Sequence, residues 1–440
     1  MKVLVIGSDR NLFKKDSDIW NRYLDYGKLF EEIHVIVFNK RDTNIRMHVH
    51  PVKCCFTTIL SKTKLFNRAG DTNNTNETQI GSNVFVYPTN HIYKFFYLWN
   101  VYRIAKRIIK INCHCEESAT RQSQNSNRLL HFVRNDRKRK LKIKNYRDEL
   151  VVSSQDPFES GLAGWMLKKI YKIPLQIQIH TDFLSPYFWK ESFINKLRVI
   201  LAKFLIFHAD GIRVVSERIK KSLVVGCRSL VVGRIVVLPI FVDTQSIKNA
   251  PIKIDLHKKY PQFNFIILMA SRLTKEKNIG LAIEAMAELA KKYPKLGLVI
   301  VGSGSELESC KLSVVGYGLE NNVKFEPAVD HDTLFSYYKT ADLFLLTSNY
   351  EGYGRSVIEA MTAGLPVVMT DVGLAREIVI NGENGVVVPV GDTKAIVDSI
   401  GSLIDDRGKR DRFSNNARKT IESLSNRSDY LESYKKSFDF

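Results

Sequence analysis

The sequence predicts an α/β protein with two doubly wound, Rossmann-like domains in series. A chain of 440 residues exceeds what one hydrophobic core normally holds, which favours two domains of roughly 200 residues each. Short apolar runs of strand length alternate with helical segments, as in parallel sheets covered by helices. The alternation stops at a polar stretch, 243–262, and then begins again.

The first half opens with a strand, a helix and a second strand. The runs are KVLVIG at 2–7, SDIWNRYLDYGKLFEE and IHVIVF. Further strands are predicted in ELVVSS, LQIQIH, GIRVVS and RIVVLP, with helices around GLAGWMLKKIY and INKLRVILAKFLIF. These elements predict an N-terminal domain over 1–243, followed by a linker over 244–262.

The second half repeats the pattern with six short apolar strands. They are FNFIILMAS, LGLVIVGSG, NVKFEP, ADLFLLTS, LPVVMTD and NGVVVPVGD. We therefore predict a C-terminal domain over 263–425. The last stretch, 426–440, is predicted to form a helix that packs back on the N-terminal domain.

Two stretches interrupt the N-terminal pattern. Residues 47–82 are polar and turn-rich, and residues 112–147 are polar, strongly basic and without clear periodicity. Loops of this length are uncommon inside compact domains, so both are interpreted as insertions. Whether 112–147 has a function or is only tolerated stays open. Its Cys-His-Cys run at 113–115 lacks the spaced ligand pairs of a structural zinc site.

The positive charge of the chain lies in its first half. The net charge is +20; residues 1–250 hold 42 Lys and Arg against 21 Asp and Glu, and residues 251–440 hold 24 against 25. This asymmetry favours an anionic partner, although a solubilising surface is the alternative. The six cysteines form no disulfide framework, no apolar run is long enough to span a membrane, and no signal-peptide pattern opens the chain. We expect a cytoplasmic protein.

Candidate ligand-binding residues follow the C-terminal strands, because doubly wound sheets bind ligands at the carboxyl ends of their strands. Arg272 and Lys277 combine a guanidinium fork with a compact ammonium, which suits a diphosphate. Gly302 and Gly304 allow the backbone to approach a ligand. Taken alone, these loops are also typical of a surface ion pair between Arg272 and Glu276 and of an ordinary turn.

The stretch SNYEGYGRSVIEAMTAGLPVV at 348–368 places Glu351 before a glycine-rich loop and Glu359 in the helix that follows. Gly364 is predicted to end this helix. The first helical N–H groups, near Gly354 and Arg355, suit a phosphate or a sugar hydroxyl. The two carboxylates then either accept hydrogen bonds from ribose and sugar hydroxyls or are solvated acids.

Most of the second half resembles the donor domain of retaining GT-B glycosyltransferases of family 4, the glycosyl transferases group 1. The matching segments are SRLTKEKN, VGSGSE, VKFEP, LFSYYKTADLFLLTSNYEGYGRSVIEAMTAGLPVVMTDVGLAREIV and NGENGVVVPVGD. Pro327 and Leu374 depart from the family pattern, which leaves the donor sugar open. The resemblance implies a GT-B fold, in which two Rossmann-like domains face a cleft.

The resemblance also implies roles for the candidate residues. Arg272 and Lys277 would hold the diphosphate, Glu359 the ribose, and Glu351 the transferred sugar. The residues predicted to be catalytic are Glu351, His180, Arg272 and Lys277. Those predicted to bind the donor are Gly302, Gly304, Gly352, Tyr353, Gly354, Arg355 and Glu359. On the acceptor side, Gly7, Gln155 and Asp156 are predicted to line the cleft, and a structural role is the alternative for His180.

The predicted function is that of a retaining hexosyltransferase that needs no metal or other cofactor. Its partners would be a nucleoside diphosphate sugar and a glycan or lipid-linked acceptor of cell-envelope polysaccharide synthesis, with no nucleic acid. The alternatives are an epimerase or phosphorylase on the same fold, and a nucleic-acid-binding protein suggested by the basic first half.

Two basic, aromatic stretches, 91–110 and 187–207, are candidates for contact with an anionic membrane at its inner face. For 187–207 we favour a core-facing helix with a solvated basic face. For 91–110 the two interpretations stay open.

Overall fold

The computed structural model describes residues 1–15, 17–38, 78–89, 97–122, 150–226 and 233–440, with the backbone alone for 110–122. Most of the two predicted insertions, 47–77 and 123–147, therefore lies outside the described residues. The side chains of the Cys-His-Cys run at 113–115 lie outside them as well.

The strands of the first half form one mixed sheet. Their bounds are β1 Lys2–Gly7, β2 Glu32–Val37, β3 Thr78–Gly81, β4 Val84–Pro88, β5 Leu150–Ser154, β6 Leu175–Ile179, β7 Gly211–Val214 and β8 Ile235–Val237. The order across the sheet is β3-β4-β2-β1-β5-β6-β7-β8. β1 pairs in parallel with β2 and β5, and β3 is antiparallel to β4 at the edge. The central strands are buried on both faces, which explains their continuous apolar runs.

Six described helices connect these strands. They are α1 Asp18–Gly27, α2 Tyr97–Gln122, α3 Glu159–Tyr171, α4 Pro186–Glu191, α5 Phe193–Phe207 and α6 Glu217–Gly226. The interpretation of 112–147 as lacking regular structure is wrong for its first part, because α2 continues through Gln122. The sequence CEESATRQ there contains several strong helix formers, and propensity extends the helix where apolar periodicity is weak.

The second sheet has six strands, and all of its pairs are parallel. Their bounds are β9 Phe265–Ala270, β10 Leu296–Val301, β11 Val323–Glu326, β12 Leu343–Leu346, β13 Val367–Thr370 and β14 Val386–Val388. The order is β11-β10-β9-β12-β13-β14. This is a doubly wound arrangement, as the sequence predicts.

The remaining helices follow in chain order. They are α7 Thr244–Asn249, α8 Leu256–Lys259, α9 Ile279–Lys292, α10 Leu307–Gly316, α11 His331–Thr340, α12 Arg355–Ala363, α13 Thr393–Asp405, α14 Arg407–Glu422 and α15 Arg427–Lys436. The predicted linker thus contains two short helices, α7 and α8. In the part of the chain that the structure describes, no helix is both long enough and apolar enough to span a membrane.

The chain separates into two compact units that are not continuous in sequence. The first unit comprises Met1–Gln178, Leu201–Arg213 and Lys435–Phe440, and the second comprises Ile179–Ile200 and Val214–Tyr434. The domain boundaries predicted from the sequence are continuous, and they stay a prediction.

A ladder of buried polar side chains crosses the first unit. Ser153 Oγ donates to Gln176 Oε1 at 3.1 Å, and Gln178 Nε2 donates to Ser153 Oγ at 2.9 Å. Arg213 Nη1 donates to Gln178 Oε1 at 2.8 Å. Gln176 Nε2 donates to the backbone oxygen of Ser437 at 2.6 Å, which ties the C-terminal segment to the sheet.

Candidate functional site

The predicted donor-side residues lie in loops at the carboxyl ends of neighbouring strands of the second sheet, and Arg355 and Glu359 lie in the helix α12 that follows one of these loops. β9 and β12 are adjacent, while β10 lies on the other side of β9. The chain leaves β9 toward β10 on one side of the sheet and leaves β12 toward β13 on the other side. The position between β9 and β12 is therefore a topological switch point, where open α/β sheets bind ligands.

Lys277 and Glu351 form an ion pair between the loops that follow β9 and β12. Lys277 Nζ donates to Glu351 Oε1, and the two side chains are 14% and 12% exposed. Ser348 Oγ donates to the same carboxylate oxygen at 2.9 Å. Thr347 Oγ1 donates to the backbone oxygens of Lys277 and Asn278 at 3.0 Å. These contacts join the two loops and position the cation.

Glu359 is buried within α12 and has two partners there. Its Oε1 accepts from Arg355 Nε at 2.9 Å, and its Oε2 accepts from the Tyr338 hydroxyl at 3.1 Å. Burial raises the pKa of the Glu359 carboxyl, and the Arg355 charge and the Tyr338 hydrogen bond offset only part of that effect. Tyr338 was not singled out from the sequence, where its pattern is that of a core aromatic.

Arg272 differs from Lys277 because its side chain is 76% exposed. Its Nη2 donates to Glu276 Oε1 at 3.2 Å, so the surface ion pair considered from the sequence is present. An exposed guanidinium loses little when it exchanges this partner for another anion. The ion pair is therefore compatible with the predicted phosphate contact.

The glycines after β10 have a steric role that requires no ligand. A Cβ atom at Gly302, whose φ is +145°, would lie 1.9 Å from the backbone oxygen of Ser271. A Cβ atom at Gly304 would lie 2.1 Å from the backbone oxygen of Leu273. Only glycine allows this loop to pack against the loop after β9.

Gly352 and Gly354 shape the entrance to α12. A Cβ atom at Gly352 would lie 1.8 Å from the backbone oxygen of His180, and the oxygen of Gly352 accepts from Ser216 Oγ at 3.0 Å. Gly354 has φ +100° and precedes the helix, whose N-terminus has no side-chain cap. The positive end of the helix dipole is thus next to Glu351, and Tyr353 between the two glycines is buried.

The structure adds three charged residues that were not identified from the sequence. Arg218, in the first turn of α6, pairs with Asp371, and its Nε donates to the backbone oxygen of Gly373 at 3.3 Å. Glu377 accepts the N–H of Glu217 at 3.0 Å. These contacts hold the loop after β13, in which a Cβ atom at Gly373 would lie 2.9 Å from the Cβ of Glu351. Nothing in the local sequence distinguishes Arg218 from a solvated helix residue.

The predicted acceptor-side residues Gly7, Gln155 and Asp156 lie together in the first unit. A Cβ atom at Gly7 would lie 2.9 Å from Gln155 Cγ. Asp156 accepts the N–H groups of Phe158 at 2.8 Å and Ser160 at 3.3 Å, and burial raises the pKa of its carboxyl. These bonds give Asp156 a structural role at the start of α3. Its role toward an acceptor stays a prediction.

Residues 254–420 match the family model of glycosyl transferases group 1. The curated relatives include the capsular polysaccharide biosynthesis glycosyltransferase CapM of Staphylococcus aureus, 29% identical over 62% of this chain and 72% of the relative. They also include the poly(glycerol-phosphate) alpha-glucosyltransferase of Bacillus subtilis, 33% identical over 40% of this chain. That alignment covers only 26% of the relative's length.

The structure of Anabaena HepE in complex with UDP and glucose superposes with a TM-score of 0.67 at 20% identity, over 100% of this chain and 99% of that one. Sucrose-phosphate synthase from Thermosynechococcus elongatus superposes with a TM-score of 0.68 at 18% identity, over 100% and 98%. These likenesses confirm the predicted GT-B fold with two Rossmann-like domains. The glycosyltransferase class itself is supported by the family model and the curated relatives.

Proposed function

We propose that this chain is a retaining, family 4 glycosyltransferase. It would move a hexose-type sugar from a nucleoside diphosphate sugar to a hydroxyl of a glycan or lipid-linked intermediate in cell-envelope polysaccharide synthesis. The observation that carries the proposal is the Lys277–Glu351 pair beside the uncapped N-terminus of α12, at the switch point of a group 1 domain. This arrangement offers positive charge to a diphosphate and carboxylate oxygens to hydroxyls.

The diphosphate is assigned to Lys277, Arg272 and the first N–H groups of α12. An ammonium has three donors, so Lys277 can keep its bond to Glu351 and donate to a phosphate oxygen. Arg272 is exposed and can turn toward the second phosphate. As the bond to the sugar breaks, the leaving nucleoside diphosphate gains charge, and these donors stabilise it without a metal ion.

The two glutamates are assigned to hydroxyl groups of the donor. The Glu359 carboxylate has one protein partner on each oxygen, and two acceptor positions are left for a ribose diol. Glu351, with the backbone of Gly352, Tyr353 and Gly354, is assigned to the transferred sugar. No side-chain nucleophile is invoked, because the leaving phosphate can guide the acceptor oxygen to the same face of the sugar.

On the acceptor side, Gly7, Gln155 and Asp156 are proposed to receive the hydroxyl substrate. His180 is proposed as a catalytic residue. The names of the relatives support the substrate class. CapM is a capsular polysaccharide enzyme, and the HepE crystal contains UDP. UDP-sugars are therefore the first donors to test, before GDP-sugars.

We also propose a cytoplasmic location, with peripheral contact at the inner face of the cell membrane.

The test is a thermal-shift screen with UDP, GDP and their sugars, repeated with Arg272→Ala and with Lys275→Ala as the exposed control. We expect one diphosphate family to raise the melting temperature of the wild type and the control, and to raise it less for Arg272→Ala. Incubation with the donor alone then separates the alternatives, because an epimerase would convert it and a transferase needs a hydroxyl acceptor. A screen without any nucleotide effect would contradict the proposal.

A further inference from the structure

Helix α5, Phe193–Phe207, has apolar side chains on two opposite faces. Val199, Ala202, Leu205 and Ile206 are buried and anchor it to the protein. A helix that is apolar all round is expected to be covered on all sides. The outward face of α5 is instead exposed.

The exposed side chains follow the helix period. Phe193, Leu197, Ile200, Phe204 and Phe207 are spaced by four, three, four and three residues, which places them on one face. Their exposed fractions are 72%, 52%, 60%, 44% and 54%. We call these five, together with Ile194 at 61%, the α5 stripe. A contiguous exposed apolar patch marks an interaction site.

Two aromatic residues extend this surface onto the short helix α4. Tyr187 is 41% exposed and Trp189 is 40% exposed. Tyr and Trp are the side chains most enriched where one end of a residue is in hydrocarbon and the other in water.

The stripe corrects the interpretation of 187–207 as a core-facing helix with a solvated basic face. Its inner face is in the core, but its outer face is largely apolar. In α2, which carries the described part of 91–110, Val101, Ile104, Ile108 and Ile109 are buried, and Trp99 is the large apolar side chain that is exposed. Among the described residues of the two stretches, most of the exposed apolar side chains therefore lie on α4 and α5.

We propose that the α5 stripe docks on the interface of a bilayer that contains anionic lipid. Four basic residues flank it, Lys190, Lys196, Arg198 and Lys203, against a single acidic residue, Glu191. The Glu191 carboxylate already accepts a hydrogen bond from the Tyr350 hydroxyl at 2.5 Å. An apolar stripe bordered by positive charge matches the acyl chains and head groups of an anionic leaflet.

A second copy of the chain fits this surface less well. A symmetric pair places the same patch on both sides of the interface, so the flanking lysines and arginines of the two copies would face each other. Like charges in contact oppose association, whereas anionic lipid complements them. The charge pattern therefore favours lipid.

The same segment contacts the candidate site. Phe188 on α4 packs edge-on against Tyr350, with ring centroids 5.4 Å apart, and Tyr350 precedes Glu351. A docked α4–α5 segment would thus place the donor loop close to the membrane. The docking inference itself rests on exposure and charge and does not require the proposed transfer reaction.

The test is flotation of the full chain with vesicles of phosphatidylcholine, with or without phosphatidylglycerol, in the absence of nucleotide. We expect binding to the anionic vesicles that falls as salt is raised. The variant Leu197→Ser/Ile200→Ser/Phe204→Ser should bind at least about tenfold less, since each buried side chain is worth about that factor. Leu312→Ser/Val315→Ser is the matched control, because these residues are 74% and 60% exposed on α10.

A charge variant gives a second readout, independent of apolar area. Lys196→Gln/Lys203→Gln should reduce binding to anionic vesicles, and its melting temperature should be unchanged because Lys203 is exposed and Lys196 half-buried. Equal binding to neutral and anionic vesicles, or no loss in the stripe variant, would overturn the inference. It would also be overturned if the wild type dimerises without lipid and the stripe variant does not. The nucleotide thermal shift is unaffected by these outcomes, so the docking inference and the proposed transfer reaction fail separately. The peripheral membrane contact proposed above would fail with the docking inference.

Discussion

Replacing Glu359 by glutamine removes the charge from a residue that is 6% exposed and keeps the shape of its side chain. In the folded protein, burial raises the pKa of this carboxyl above its ordinary value of 4.5. The folded state therefore binds the proton more tightly than the unfolded state. As pH rises from 4.5 through the folded-state pKa, the wild type loses stability relative to Glu359→Gln.

The nucleotide should show the opposite preference. Each oxygen of Glu359 has one protein partner and one free acceptor position, which match the two hydroxyls of a ribose. Glutamine replaces one of these oxygens by a donor group, so at least one hydrogen bond to a charged acceptor is lost. Such a bond contributes about 1.5–3 kcal/mol, which corresponds to about 10- to 100-fold weaker binding.

The assay is calorimetric titration of the nucleoside diphosphate that the screen identifies, with thermal unfolding between pH 4 and 8. Glu308→Gln is the control, because that side chain is 78% exposed on α10. We expect the control to behave as the wild type in both measurements. Nucleotide affinity that is unchanged in Glu359→Gln would refute the ribose assignment. Wild-type stability that rises with pH relative to the variant would refute the burial argument.

Two further substitutions test the loops around this residue. Lys277→Met leaves the Glu351 carboxylate unpaired in a poorly solvated position. We expect the free energy of unfolding, measured with denaturant, to fall by about 3 kcal/mol and donor turnover to be lost. Lys275→Met, at an exposed position, should change neither quantity. Gly352→Ala brings a Cβ atom to 1.8 Å from a backbone oxygen, so its melting temperature should fall, while that of Gly280→Ala, with open space around its Cβ position, should be kept or raised. Unaltered melting of Gly352→Ala would contradict the geometry of this loop.

Local chemistry predicts the second sheet and the helix of the E-x₇-E block well. Gly364 ends α12 in the left-handed conformation, with φ +84°, at the position that the sequence indicates. β9 and β10 are buried at every residue, and they coincide with the apolar runs. These features depend on residues close in the chain, which is why the pattern of one sequence identifies them.

The features that the sequence does not reveal depend on contacts distant in the chain. The two apolar faces of α5 are equivalent in its pattern, and only packing determines that Val199 is buried and Ile200 is exposed. Arg218 becomes informative only when Asp371, 153 residues later, lies beside it. The apolar pattern does not reveal the helix in the first part of 112–147, because helix propensity there, and not apolar periodicity, continues α2.

The pairing of charges around the candidate diphosphate site shows how the two cations differ. Lys277 is 14% exposed and already bound to Glu351, whereas Arg272 is 76% exposed and bound to Glu276. These four side chains sum to zero charge, so an anion is not attracted by a net local excess, and each cation has to share or exchange its carboxylate. The exchange costs little on the Arg272 side, because water already surrounds its guanidinium, whereas Glu276 is 17% exposed and loses its partner. For Lys277 it is costly unless the ammonium keeps Glu351 and adds the phosphate as a further acceptor. Arg272 is therefore suited to binding the donor first. Lys277 is suited to holding the phosphate and the Glu351 carboxylate in one fixed geometry.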